Sequence, residues 1–372
     1  MGLALTTQDI QPRDYIPSLD GWRAVSIAIV FLAHAFHSLP VPGGFGVTVF
    51  FFISGYLITT LLVREYAKSG TISFLSFYIR RFFRLAPPLL LTMTLAIGLV
   101  LAGRAEGTLS PVGLASQVFF FFNYWDATAR QADVISGTKI FWSLSVEEHF
   151  YFIFPATMLL ILKRKASPAV LAAVALVAVF WRIVKFSVLG FDEWQIYALT
   201  DTRFDSMLWG SFLAVMMEKR PDLLQGIPRR AIAVAALGGG ALILLTFVVR
   251  DEFFRSTFRY TVQGVSLVPI FYYSLVYPGT LAYRVLNSKI ARQIGVYSYT
   301  FYLCHYIILN ALIFNGLVER ELVAAVWAGS LALAYSALMY HFVELPVRHW
   351  RSGLLTTLAR SRTSAREAEA RP

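Results

Sequence analysis

Long apolar runs alternate with short charged segments along almost the whole chain. Each run approaches the roughly 20 residues that an α-helix needs to cross hydrocarbon about 30 Å thick. Candidate spans fall at 22–39, 45–63, 85–103, 142–162, 168–189, 204–217, 231–249, 259–277, 294–314 and 322–343, about ten crossings in all. The 204–217 run is shorter than the others. The apolar stretch 115–125 is too short to span and is placed as an interfacial or re-entrant piece. The pattern predicts an all-α, polytopic membrane helix bundle. A membrane domain over 1–351 is followed by a polar tail over 352–372, rich in Arg, Ser, Ala and Glu, with the composition of a disordered cytoplasmic segment. The longest loop, about 103–141, is too short for a separate catalytic module, so any chemistry takes place among the helices.

Composition supports this reading. The 372 residues are 57% hydrophobic and only 15% charged, far more apolar than a soluble domain. The net charge of +11 does not call for a nucleic-acid partner, because basic residues collect on the cytoplasmic side of membrane proteins. Placing both termini in the cytoplasm puts the larger share of cations inside, among them Arg13, Arg64, Lys68, Arg80, Arg81, Arg84, Lys219 and Arg292. A smaller set, including Arg104, Arg130, Arg203, Arg255 and Arg259, lies outside. Residues 1–15, with Asp9, Arg13 and Asp14, lack the pattern of a removable signal peptide, so the first span is expected to stay in the mature protein. The single cysteine, Cys304, has no thiol partner, and neither a disulfide nor a metal site is expected.

Ionisable residues in a bilayer are costly and usually face the protein interior. Arg23 and His34 lie eleven residues apart in the first span, which returns them to nearly the same helix face about 16 Å apart. Taken alone, the pair also fits a snorkelling arginine and a satisfied core histidine. The segment Trp142 to Tyr151 brings Ser143, Ser145, Glu147, Glu148, His149 and Tyr151 to the start of the fourth span, a polar cluster that also fits an ordinary capped first turn. Arg80, Arg81 and Arg84 precede the third span on the cytoplasmic side. They suit phosphate recognition and equally suit plain topology signalling. Gly43, Gly44 and Gly46 suit close helix packing, with Ser54 beyond them, and His305 sits in a polar cluster with Ser298, Tyr299 and Tyr302.

In order along the chain, these segments resemble the acyltransferase-3 family of membrane O-acyltransferases, from about residue 15 to about 350. The resemblance rests on Leu19-Asp20-Gly21-Trp22-Arg23 with His34, Gly46-Val47 to Ser54-Gly55, Arg80 to Pro88, Trp142 to Tyr151, Gly295 to His305, and Phe342 to Pro346. The chain departs from the family where glutamine is common at His149 and tryptophan at Cys304, which leaves roles for those two positions open. Many members carry an extracytoplasmic hydrolase-like domain; this chain resembles the standalone type.

The resemblance implies transfer of an acyl group, commonly acetyl, from cytoplasmic acetyl-CoA or another acyl-CoA to a hydroxyl of an envelope or exported carbohydrate. The setting it implies is the bacterial inner membrane, alongside other envelope glycan enzymes. It assigns His34, Glu147 and Arg23 to catalysis: His34 as base, Glu147 orienting it, Arg23 stabilising developing charge. Arg80, Arg81 and Arg84 would grip the donor phosphates, with Ser54, Ser143, Ser145, Tyr151 and His305 in support. Direct transfer and a covalent acyl-histidine both fit. A competing class is a membrane transporter or carrier for a lipid-linked or small polar substrate, using the same polar groups as a relay.

Overall fold

The computed structural model describes residues 15–129, 134–318 and 320–369. Expectations that rest on Asp9, Arg13, Asp14 and Arg130 lie outside the described residues. Among the described residues the chain is helical, without strands. The long helices are α1 (Pro17–Ala35), α2 (Gly43–Ser69), α3 (Phe74–Leu101), α4 (Trp142–Lys163), α5 (Ala169–Ser187), α6 (Thr200–Lys219), α7 (Arg229–Val248), α8 (Arg259–Val276), α9 (Lys289–Phe314) and α10 (Glu321–Met339). A π-helical turn, Tyr340–Glu344, joins α10 to α11 (Leu345–Glu369), which carries the stretch expected as a polar tail. Seven of the described helices are long and apolar enough to cross a membrane: α2, α3, α4, α5, α7, α9 and the continuous α10–α11 unit. The chain is a multi-pass membrane helix bundle. Helices α1, α6 and α8 fall outside that set because each carries more polar residues, including Asp20 and Arg23, Asp201 and Arg203, and Arg259 and Gln263.

Local sequence sets the ends of these helices. Pro17 stands in the first turn of α1, where a missing N–H costs nothing. Gly70 ends α2 at φ 70°, a left-handed conformation that glycine adopts without a Cβ penalty. The Ser288 hydroxyl caps α9 by accepting from the Ala291 amide.

Two differences from the sequence expectation matter for the site. Helix α3 begins at Phe74, not near residue 85, so Arg80, Arg81 and Arg84 lie inside it. An apolar-run criterion stops at the first arginines, whereas the backbone stays helical through them and past Pro87 and Pro88. Helix α6 likewise begins at Thr200, since its first turns are polar yet packed in protein. Arg203 is therefore a fully buried helix residue and not an outer-loop cation.

The bundle has a basic end and a far end. At the basic end Arg64 of α2 pairs with Glu218 of α6 at 2.7 Å, and Arg80 pairs with Glu65 at 3.2 Å. At the far end Ser38, after α1, donates to Glu321 of α10, and Arg255 pairs with Glu193 at 2.7 Å. Small residues bring helices together backbone to backbone. A Cβ at Gly55 would collide with the Met207 backbone of α6, and one at Gly210 with Phe52 of α2. Gly43 and Gly46 face α1, as close packing requires, and Gly44 faces Tyr197. Gly295 of α9 rests on the Asp20 backbone, fixing α1 against α9. The segment 115–125 contributes to two short helices, Pro111–Val118 and Phe122–Ala129, pinned by Gln117 donating to Thr138 and Asn123 donating to Thr200.

Candidate functional site

A narrow cavity of about 70 Å³ runs inside the bundle between α1, α2, α3, α4 and α9. Its lining on α2 extends from Leu57 to Val47, ten residues, or about 15 Å along the axis. Arg23, Arg81 and Arg84 line it together with Glu147 and Tyr151. The Glu147 carboxylate accepts from the Ser54 hydroxyl at 2.8 Å and from the Tyr151 hydroxyl at 3.4 Å. The Arg81 guanidinium lies 4.3 Å above the Tyr151 ring, a cation–π contact. Arg23 is held by Asp20 at 2.7 Å, and Asp20 also accepts from Tyr15 at 2.7 Å. Among the described residues neither Arg81 nor Arg84 has a carboxylate partner within ion-pair distance. The lining therefore presents three guanidiniums against one carboxylate, with unused N–H donors turned toward empty space.

Ser298 and Tyr299 of α9 line the cavity level with the arginines, Tyr299 donating to the Leu85 carbonyl at 3.0 Å, and toward the far end the lining changes to Ser143 and Tyr302. The Tyr302 hydroxyl donates to the Ile140 carbonyl at 2.7 Å and lies 2.7 Å from the Ser143 hydroxyl. One turn beyond Tyr302 on α9 stands His305, fully buried, with Nδ1 at 3.0 Å from the Phe301 carbonyl and 2.9 Å from the Tyr302 carbonyl. A ring nitrogen facing carbonyl oxygens must carry the proton, so His305 Nε2 is left as an acceptor. His34 Nδ1 lies 3.0 Å from that nitrogen and must donate to it. His34 Nε2 then keeps a free lone pair, the state a general base needs. The Tyr306 ring stacks on His34 with centroids 4.4 Å apart and fixes its plane.

The residues expected from the sequence separate into three groups. Arg23, Arg81, Arg84, Ser54, Ser143, Glu147 and Tyr151 meet in one cavity. His34 and His305 form a pair just past its far end. Arg80 turns away to Glu65, and Ser145 is buried outside the lining with its hydroxyl unpaired. Glu147 shares its hydrogen bonds with Ser54 and Tyr151, and His34 pairs with His305, so the expected orienting contact between Glu147 and His34 is replaced by an imidazole–imidazole one. Asp20 and Tyr302 stand outside the site residues expected from the sequence. The signal for Tyr302 was the stripe Gly295, Ser298, Tyr302 and His305, spaced by three and four residues on one helix face.

The acyltransferase-3 family profile, described as an acyltransferase domain, matches residues 16–343. The chain belongs to the acyltransferase-3 family. Among its relatives are the peptidoglycan O-acetyltransferase OatA of Listeria monocytogenes, 28% identical over 90% of this chain, and the O-acetyltransferase OatA of Staphylococcus aureus, 29% identical over 90%. This acyltransferase-3 chain spans 56% and 57% of the length of those two relatives. No solved structure matches it. The acyltransferase-3 match takes in the α1, α3, α4 and α9 residues that form the cavity and the histidine pair.

Proposed function

We propose that this chain is a membrane O-acyltransferase of the bacterial inner membrane that moves an acyl group, acetyl in the simplest case, from acyl-CoA to a hydroxyl of an envelope carbohydrate. The observation that carries the reading is a cavity with surplus guanidinium charge toward one end and a histidine pair, with one bare imidazole nitrogen, just past the other. Arg81 and Arg84, joined by Arg23, have free donors that suit the donor's phosphates. The length of the cavity suits a thin thioester arm. Excess cations at this end support a cytoplasmic donor by the positive-inside rule, with both termini on that side. The names of the relatives, one of them a peptidoglycan O-acetyltransferase, support a glycan acceptor.

In the direct form of the reaction, His34 Nε2 takes the proton of the acceptor hydroxyl while its oxygen attacks the thioester carbonyl carbon. The carbon–sulfur bond breaks, and the thiolate leaves with the proton returned from the His34 imidazolium. The products are an ester and free CoA thiol. His305 holds the tautomer that makes His34 a base and accepts its Nδ1–H throughout. Glu147, hydrogen-bonded to Ser54 and Tyr151, positions the arginine-lined wall.

The test compares O-acyl ester content of envelope glycans, by mass spectrometry, in a strain lacking the gene and in the same strain carrying the wild type or His34→Ala. Ester that disappears on deletion and returns only with the wild type supports the reading. Unchanged ester on deletion overturns it, and full rescue by His34→Ala overturns the assignment of the base. A label from radioactive acyl-CoA retained on the wild type and lost in His34→Ala would establish the covalent variant.

A further inference from the structure

A second cavity of about 510 Å³ opens at the far end between the start of α2, the short helix Glu193–Ala198, the end of α7 and the start of α8. Aromatic faces dominate its wall: Phe45, Trp194, Tyr197 and Tyr260. A charged trio stands among them. Glu193 accepts from Arg255 at 2.7 Å and from Arg259 at 3.2 Å, so two guanidiniums share one carboxylate and keep donors to spare. Flat apolar faces interleaved with a few fixed hydrogen-bonding groups form a site that binds a ring carrying hydroxyls, with stacking on the C–H face and hydrogen bonds at the rim.

The position of this cavity is as informative as its lining. On α2 the first cavity ends at Val47 and the second begins at Phe45, only about 3 Å apart along the axis. A single layer of side chains separates them. Phe51, which lines the first cavity, packs on Trp142 with centroids 6.1 Å apart, and Trp142 packs on Tyr197 of the second at 4.5 Å. Within this partition lies Arg203, fully buried, its guanidinium carbon 5.5 Å from the Phe51 ring, 5.0 Å from Tyr197 and 3.9 Å from Tyr260. One of its amino groups reaches the Thr48 hydroxyl at 3.0 Å, while Nε and Nη1 have no partner among the described residues. Arg203 itself lines neither cavity; held between three aromatic rings, its guanidinium is compensated by cation–π contacts and ties the partition together.

We propose that this far-end cavity is an acceptor subsite that holds one ring of a carbohydrate chain while a neighbouring ring of the same chain is acylated at His34. The reasoning rests on the acyl-transfer reading above. Gly43 of α2 abuts Ala33, the neighbour of His34, while Gly44 abuts Tyr197 in the cavity wall. Cavity and base therefore flank the first turn of α2, about one helix width apart. An extended chain of sugars crosses that distance and a single ring does not, so the enzyme takes an oligomeric or polymeric acceptor.

The experiment uses the full chain in two measurements. Wild type, Trp194→Ala and Arg255→Gln are each returned to the strain lacking the gene, and base-labile O-acyl esters on its own envelope glycans are quantified at matched protein levels. The same proteins, purified in detergent, are titrated with acetyl-CoA. The proposal expects a fall in ester of about tenfold for Trp194→Ala and a smaller fall for Arg255→Gln, with acetyl-CoA affinity unchanged in both. If Trp194→Ala loses acetyl-CoA affinity as well, its fold is disturbed and Arg255→Gln decides. Wild-type ester content in a variant that binds acetyl-CoA normally overturns the subsite while leaving the acyl-transfer reading in place. Ester content that does not depend on the gene at all overturns both.

Discussion

Two arginine clusters in this bundle, one buried and one lining an open cavity, are treated in opposite ways. Arg182 of α5 is fully buried and fully used: it donates to the Thr257 and Thr202 carbonyls at 2.6 Å each, to the Thr261 hydroxyl and to Asp205 at 3.1 Å. Asp205 is in turn held by Thr261. All three of its nitrogens are engaged within the protein, and the cluster ties α5, α6 and α8 together. Arg81 and Arg84 of α3 face a cavity without carboxylate partners of their own. The two clusters show that burial of charge does not by itself mark function in a membrane protein. Donors left over after the protein has satisfied itself are the ones free to meet a ligand.

Substitutions can break this comparison. The largest effect is expected beyond the cavity, where His34→Ala should lower acyl transfer about 10²- to 10⁴-fold, the range of a general base, while acetyl-CoA affinity stays near wild type. Arg182→Ala should cost about 3–5 kcal/mol of stability by stranding Asp205, read as a lower melting temperature in detergent. A variant as stable as wild type would show that the network ties nothing. Arg84→Gln should weaken acetyl-CoA binding about tenfold or more, the value of a charge-assisted phosphate contact, with little change in melting temperature. His305→Phe, which removes the acceptor for the His34 N–H, should slow transfer by about tenfold and shift its pH profile without altering acetyl-CoA affinity. The smallest effect is expected for Arg80→Gln, whose half-exposed pair with Glu65 is worth about 1 kcal/mol or less. Equal effects of Arg80→Gln and Arg84→Gln on acetyl-CoA binding would sink the distinction between them.

Much of the architecture was legible in the sequence because a lipid-facing helix must be apolar over a fixed length. Helices α4, α5, α7 and α8 lie within a few residues of the runs that announced them. The starts of α3 and α6 were not, for one physical reason. Polar residues in the first turns of a helix look, in a one-dimensional reading, like a loop. Arg84 and Arg203 were both placed outside helices for that reason, and both lie inside them. The site was legible in its members but less so in its pairings. The eleven-residue spacing of Arg23 and His34 is real, yet Arg23 belongs to the cavity and His34 to a histidine 271 residues away in the chain. No local pattern announces that partner. The partition around Arg203 is built from α2, α4, the helix Glu193–Ala198, α6 and α8, and it appears only when all five are assembled.

The glycine crossing of α2 and α6 limits how such an enzyme can move. Gly55 and Gly210 leave no side chain between the two backbones, so neither helix can roll or slide without a clash, and the pair behaves as a stiff rail. Both cavities are bounded by α2, which makes the spacing between them a constant of the scaffold and not a variable of the catalytic cycle. Any widening of the first cavity must come from the helices on its other side. Of these α3, with Pro87 and Pro88 breaking its backbone ladder just beyond Arg84, is built to flex.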